Sequence, residues 1–347
     1  MKPSPRLAFV LRAAGSLLLL ALVAWWLDLS EVAARLQGLD VRWVAAALGI
    51  SVLQVGASAW RWRYTARRLG IDLPAAAAFR EYYLATFLNQ VLPGGVLGDV
   101  SRAWRHHRSR PGAEAGPVVR AVLLERGSGQ VVMVAVAALS FLTLPLAALP
   151  DSGLWVASPG VRAALLVGFA AVGAGLVGLL VRRREAREGG WSAAFRADLR
   201  EGLLAPEALA VQLPTSAFVV GSYLAMYLAA ARAVGAQEPL GLLLPLVAPV
   251  LLAMLLPLTV AGWGAREGAA AAIWTTVGLS GAEGVAISVV YGLLVLVSSL
   301  PGAWVLLQAL AGTGAVQGDD SGADPTGTQL EVEEHVRAQV DGSARGA

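Results

Sequence analysis

The chain contains no cysteine. Neither disulfides nor thiolate metal sites can form, and nothing indicates the redox compartment. Charge is scarce as well: 15% of residues are Asp, Glu, Lys or Arg, against about 25% in a soluble domain. That leaves too few polar groups to cover a surface in water. Histidine occurs three times, twice as the adjacent pair His106 and His107, so there is no H-E-x-x-H spacing for a zinc site. No G-x-x-x-x-G-K-[ST] loop is present, which speaks against an ATP-driven pump within this chain. No cofactor or metal is implied. The pI of about 9.6 would suit a nucleic-acid partner, but the arginines cluster beside apolar runs, where membrane topology explains them better, so none is expected.

What is abundant is apolar sequence, 56% of residues, with a mean hydropathy of +0.63. Runs long enough to cross the hydrocarbon core as helix, about 20 residues each, occur near 8–27, 43–60, 121–148, 161–181, 207–230 and 283–310. Two further apolar segments, 75–100 and 240–279, are interrupted. The expected fold is an all-α polytopic membrane protein with about six full transmembrane helices and two broken or re-entrant segments, about eight hydrophobic segments in all. The first run ends at Trp25 and Trp26 with no small-residue cleavage pattern and is expected to be a retained helix.

Basic residues set the direction of each span. Lys2, Arg6 and Arg12 accompany the first; Arg61, Arg63, Arg67 and Arg68 follow the second; Arg102, Arg105, Arg108 and Arg110 follow the first broken segment; Arg182, Arg183, Arg184, Arg187, Arg196 and Arg200 follow the fourth span. The opposite connections hold only Arg35, Arg42, Arg162 and Arg232. The positive-inside rule then places both termini in the cytoplasm and the chain in the cytoplasmic membrane. Trp60, Trp62, Trp104, Trp155 and Trp191 fall near the expected boundaries, where indole rings prefer to lie.

The broken segments follow from the same reasoning. Both basic clusters around 75–100 are on one side, so LNQVLPGGVLGDVSRAWRHHR belongs to a hairpin or a pair of short helices turning near Pro93 to Gly95. The stretch LPLTVAGWGAREG repeats the ingredients from the opposite face, with Pro257, Gly262 and Gly264 ahead of Arg266 and Glu267. Irregular backbone at membrane depth lines a cavity or is buried in protein. Two such segments of opposite orientation, one per half, are the pattern of an inverted-repeat transporter with its site between the halves.

At these residues the chain resembles the flippase-like transmembrane domain of lysylphosphatidylglycerol synthases. The matching positions are Asn89, Pro93, Gly94, Gly98 and Arg102, then Glu125 and Arg126 in VLLERGSGQ, then Pro257, Gly262, Gly264, Arg266 and Glu267. The resemblance covers about residues 10–310, giving a transmembrane domain at 1–311. Where the resemblance calls for an acidic residue one turn after the Glu-Arg pair, Gly129 and Gln130 stand instead. Residues 312–347, Gly-rich and acidic, are expected to form a disordered tail and contain no aminoacyl-transferase domain. The resemblance implies a domain that moves or presents a modified lipid, aminoacylated or glycosylated, across the bilayer.

Individual residues admit two readings. Asp99 is either a helix N-cap or part of a site in which Arg102 and the amides near Gly94 to Gly98 hold a lipid phosphate. Adjacent helix positions do not face each other, so Glu125 and Arg126 are expected to take separate partners, with Arg102 or Arg80 serving Glu125. Arg266 and Glu267 pose the same choice between a structural ion pair and charge coupling. Asn89 and Gln90 either satisfy the interrupted backbone, the favoured reading, or bind headgroup hydroxyls. The cluster from Arg105 to Arg108 reads as an anchor to anionic headgroups.

The expected function is therefore binding or translocation of an anionic or phosphate-bearing lipid, with no enzymatic activity. The expected partners are a membrane phospholipid or lipid-linked substrate and a separately encoded lipid-modifying enzyme. The alternatives are an intramembrane enzyme on a lipid-linked substrate, with Asp99 or Glu125 as general base, and a non-transporting scaffold for a lipid synthase.

Overall fold

A computed structural model describes residues 29–92, 96–108, 115–143, 191–254 and 259–319, together with positions 14, 18, 21, 22 and 25. These form helices α1 (Leu29–Gln37), α2 (Val41–Arg68), α3 (Ala75–Val91), α4 (Leu97–Arg108), α5 (Ala115–Thr143), α6 (Trp191–Leu199), α7 (Pro206–Ala233), α8 (Leu240–Ala253), α9 (Ala265–Thr276) and α10 (Gly281–Asp319). A π turn, Arg200–Leu204, joins α6 to α7. The chain divides into two compact units, residues 1–303 and 304–347. The first contains α1 to α9 and the start of α10; the second holds the end of α10, with Trp304, Leu307 and Leu310 exposed.

Among the described residues four helices are long and apolar enough to span a membrane: Val41–Arg68, Ala115–Ser140, Pro206–Ala233 and Gly281–Ala311. They coincide with four of the expected spans. The expected span 161–181, the bend at Pro93 to Gly95, Pro257 and residues 320–347 lie outside the described residues, and span 8–27 is described at the five scattered positions only. Val52, Leu53, Val131, Phe218, Leu293 and Val297 are exposed in the middle parts of these helices. Water would penalise such a belt; hydrocarbon solvates it.

The interior has the opposite character. On α2 the inward stripe is Ser51, Gln54, Ser58, Arg61 and Thr65, all buried and spaced three or four residues apart. A conventional apolar core lies beside it, built from Leu246, Val247, Tyr227, Trp274 and Ile287 among others. Asp40 caps α2 by accepting from Arg42 N at 2.9 Å, and Pro206 begins α7, where a missing N–H costs nothing. Pro245 and Pro249 interrupt the hydrogen-bond ladder of α8.

Inter-helix contacts sort the chain ends into two groups. Arg68 with Glu201, Tyr64 with the Glu207 carbonyl, Arg120 with Asp198, and Arg105 with Glu81 gather the end of α2, the start of α3, the end of α4, the starts of α5 and α7, and α6. Arg35 with Glu283, Ser280 with Glu31, and Asp40 N with the Ala233 carbonyl gather α1, the start of α2, the end of α7 and the start of α10 at the other end. Hence α3 and α4 enter and return at one end, and α8 and α9 enter and return at the opposite end. The order span, hairpin, span occurs twice, as α2, α3–α4, α5 and as α7, α8–α9, α10, with inverted direction. The two hairpins are the broken segments of the sequence.

The first hairpin closes tightly. A Cβ on Gly98 would lie 1.9 Å from the Ala85 carbonyl oxygen, so only glycine lets α4 approach α3 this closely. The second turns through Ala261, Gly262 and Gly264, all with positive φ (51°, 82° and 85°). Of the five tryptophans expected at the boundaries, Trp60, Trp104 and Trp191 are exposed. Trp62 is not: it is 1% exposed and packs inside, against a guanidinium. Trp155 lies outside the described residues.

Candidate functional site

Residues flanking the break in each hairpin line a common cavity of about 490 Å³. From the first hairpin come Tyr82, Thr86, Asn89, Gln90 and Val96; from the second come Leu251, Met254, Thr259, Ala261 and Gly262. The spans contribute Ser51, Gln54, Arg126, Gln130, Tyr223, Tyr291 and Ser298. The wall mixes carboxamides, hydroxyls and one guanidinium with methionine and aliphatic surface, the composition of a site for an amphipathic ligand.

Beside the cavity runs a buried ionic chain. Glu125 on α5 accepts from Arg61 Nη2 at 2.6 Å through Oε1 and from Arg102 Nη2 at 2.7 Å through Oε2. Arg102 Nη2 also lies 2.9 Å from Asp99, and Arg126 Nε lies 3.4 Å from the other oxygen of Asp99. Tyr82 donates to Glu125 at 3.3 Å, and Arg61 donates to Ser216 at 3.0 Å. The Arg102 guanidinium stacks between Trp62 and Tyr82, 4.7 Å from each ring centroid, while its Nε and Nη1 make no hydrogen bond among the described residues. Cation–π contact on both faces offsets part of that loss.

Glu125 and Arg126 take separate partners, as the helix geometry requires. Arg102 does serve Glu125, but the second partner is Arg61 rather than Arg80, which sits 3.8 Å from Glu81 on the outside. Asp99 is not the N-cap. It lies in the first turn of α4, and its carboxylate is turned toward Arg102, Arg126 and Asn89. Asn89 takes over the local backbone: its Oδ1 accepts from Gly98 N at 2.8 Å, and its Nδ2 donates to Asp99 at 3.3 Å. One amide expected to hold a phosphate is thus already occupied. Arg102 is sealed behind the cavity wall with no exposed side-chain surface, and of this ionic chain Arg126 alone lines the cavity. Pro93 and Gly94 lie outside the described residues.

The second hairpin holds a smaller cluster. Glu267 Oε2 accepts from Gly264 N at 2.7 Å, closing the first turn of α9. Its Oε1 accepts from Arg266 Nη2 at 2.6 Å and Nε at 3.0 Å, and from Ser288 Oγ of α10 at 3.1 Å. Adjacency does not prevent this pair: the Glu267 side chain folds back over the helix start, and the long Arg266 side chain reaches around to it. Trp263 and Tyr291 flank the guanidinium at 5.0 and 5.4 Å. Arg266 and Glu267 are buried and neither lines the cavity, whereas Gly262 and Tyr291 do.

The basic cluster at the end of α4 is divided in role. Arg105 forms a bidentate pair with Glu81 at 2.7 and 3.0 Å, His106 is buried edge-on to Trp62, and Arg108 is exposed over Trp104. Sequence reasoning took Arg61 for a boundary charge and did not single out Tyr82, Gln54 or Tyr223. Gly129, one turn after Glu125, stands where a Cβ would lie 3.2 Å from the Arg61 guanidinium.

Residues 10–302 match the family described as the lysylphosphatidylglycerol synthase transmembrane region. The chain belongs to this family. No curated protein and no solved structure gives a match. As a lysylphosphatidylglycerol synthase transmembrane region it is a multi-pass membrane domain related to lipid biosynthesis, consistent with the four apolar spans and their exposed belt.

Proposed function

We propose that this domain moves a phosphate-bearing lipid between leaflets of the cytoplasmic membrane, with the arginine-rich end facing the cytoplasm. The observation that carries the reading is the shared cavity: two hairpins entering from opposite ends meet at one chamber of about 490 Å³ with a mixed polar and apolar wall. Inverted halves around a central site provide alternating access when one half rocks against the other. The arginines take different parts. Arg102 and Arg266 are buried fasteners, linking the α3–α4 hairpin to α5 and the α8–α9 hairpin to α10. Arg126 meets the ligand. Met133, Met226 and Met254 give the wall an adaptable surface for acyl or glycerol carbons.

The enzymatic alternative has less support, since both candidate bases, Asp99 and Glu125, are engaged as acceptors by arginines. The test uses the full chain in vesicles carrying a headgroup-labelled phospholipid, with a membrane-impermeant quencher outside. Inner-leaflet label should become accessible faster than in protein-free vesicles, and Gln130→Trp, which fills the chamber, should return the rate to that background. Equal rates with and without the wild-type protein would refute translocation.

A further inference from the structure

The polar groups on the chamber wall fall into two sets. The hydroxyls of Ser51, Thr86 and Ser298 donate to carbonyls of their own helices, Tyr82 donates to Glu125, and Asn89 serves Gly98 N and Asp99. Gln54, Gln90 and Gln130 line the same wall from α2, α3 and α5, and their carboxamides make no hydrogen bond to the described protein. Tyr223 of α7, Tyr291 of α10 and Thr259 of the second hairpin add hydroxyls that are equally uncommitted among the described residues. Thr259 is 2% exposed and Gln54 9%, so these are not stray surface groups. Water serves such groups in an open chamber, and a ligand that displaces it must reproduce their hydrogen bonds.

The donor and acceptor inventory fixes the chemistry of that ligand. A carboxamide offers both an accepting oxygen and a donating nitrogen. An ammonium only donates and leaves the nitrogens unmatched; a phosphate oxygen only accepts and leaves the oxygens unmatched. A hydroxyl does both. The free carboxamides stand in one inverted half and the free hydroxyls in the other, so the ligand must present hydroxyls around its periphery. Between them Met133, Met226 and Met254 and the two tyrosine rings suit C–H surface. A ring meets these demands at less ordering cost than an open chain. From the uncommitted carboxamides and hydroxyls on opposite walls, we infer that the chamber recognises a lipid headgroup carrying a polyhydroxylated ring, a sugar or a cyclitol. The inference rests on the proposed lipid-handling role and names the headgroup class.

The experiment measures equilibrium binding to the purified full chain in lauryldimethylamine oxide, a detergent without the hydroxylated rings of the glycoside detergents. The probes are short-chain phosphatidylinositol, phosphatidylglycerol and phosphatidylcholine, and glycerophosphoinositol, which is the first headgroup without acyl chains. Phosphatidylinositol and phosphatidylglycerol share their charge and phosphodiester and differ only in the hydroxylated part. Phosphatidylinositol should bind tighter than phosphatidylglycerol by on the order of tenfold, the scale of one or two net hydrogen bonds, and phosphatidylcholine should bind weakest. Gln130→Met, close in volume, should bring phosphatidylinositol down toward phosphatidylglycerol and leave the ligand-free unfolding temperature unchanged, because no protein hydrogen bond is lost. Gln54→Met, on another helix, repeats the test should Gln130→Met fail to fold. Wild-type binding of phosphatidylglycerol or phosphatidylcholine as tight as that of phosphatidylinositol would overturn the inference, as would full preference retained by both variants. Equally tight binding of glycerophosphoinositol would overturn the assignment to a lipid and point to a soluble polyol phosphate. Ring-selective binding without leaflet exchange would defeat translocation alone, and exchange without ring preference would defeat this inference alone.

Discussion

Glu125 is the residue on which most of the buried polar structure depends. It accepts from Arg61, Arg102 and Tyr82, joining α2, α3, α4 and α5 through one carboxylate. Removing one member of a buried ionic group leaves its partners charged and unmatched, at a cost of about 3–5 kcal/mol. Glu125→Gln should therefore lower the thermal unfolding temperature in detergent far more than Glu81→Gln. Glu81 pairs with Arg105, which is 32% exposed, and such pairs contribute at most about 1 kcal/mol. Similar losses for both variants would contradict the central place of Glu125.

The two hairpins solve one problem, a chain reversal inside the membrane, by different local means. In α3–α4 the reversal is sealed by a side chain, Asn89, which binds the Gly98 amide. In α8–α9 it is achieved by backbone in the left-handed region, and one of those residues is Ala261, with φ 51°. An alanine there is strained by about 1–2 kcal/mol, whereas Gly262 both needs its φ and has Met254 Cγ 2.9 Å from where a Cβ would stand. Ala261→Gly should keep or raise the unfolding temperature, and Gly262→Ala should lower it by about 1–3 kcal/mol of stability. The opposite order, measured by thermal unfolding of the same preparations, would show that the turn is not held as described. Proline and glycine in apolar runs made both reversals legible in the sequence, and charge on either side made the first one re-entrant. The identity of the ionic partners was less legible, because partners such as Arg61 and Glu125 are 64 residues apart. A signal for Arg61 was nevertheless present: Ser51, Gln54, Ser58, Arg61 and Thr65 recur at helical spacing in a helix whose outer face is apolar. In a membrane such a polar stripe marks the inward face, the reverse of its meaning in water.

At the scale of the whole molecule, the claim that matters is that the hairpins enter from opposite sides. Exposed Arg67 and Arg108 flank the first hairpin at one end; exposed Gln37, the last residue of α1, and Gln237, between α7 and α8, lie at the other. If 75–100 crossed the membrane as a single span, Arg67 and Arg108 would fall on opposite sides. The absence of cysteine makes the question directly measurable, because a single introduced cysteine is the only thiol in the chain. With a membrane-impermeant maleimide on intact cells, Gln37→Cys and Gln237→Cys should react. Arg67→Cys and Arg108→Cys should react only after permeabilisation. The reverse pattern would keep the two-ended architecture and invert its orientation, moving the arginine-rich end to the outer face against the positive-inside rule. Reaction of Arg67→Cys and Arg108→Cys from different sides would remove the re-entrant hairpin, and with it the meeting of two opposed hairpins at one chamber on which translocation rests.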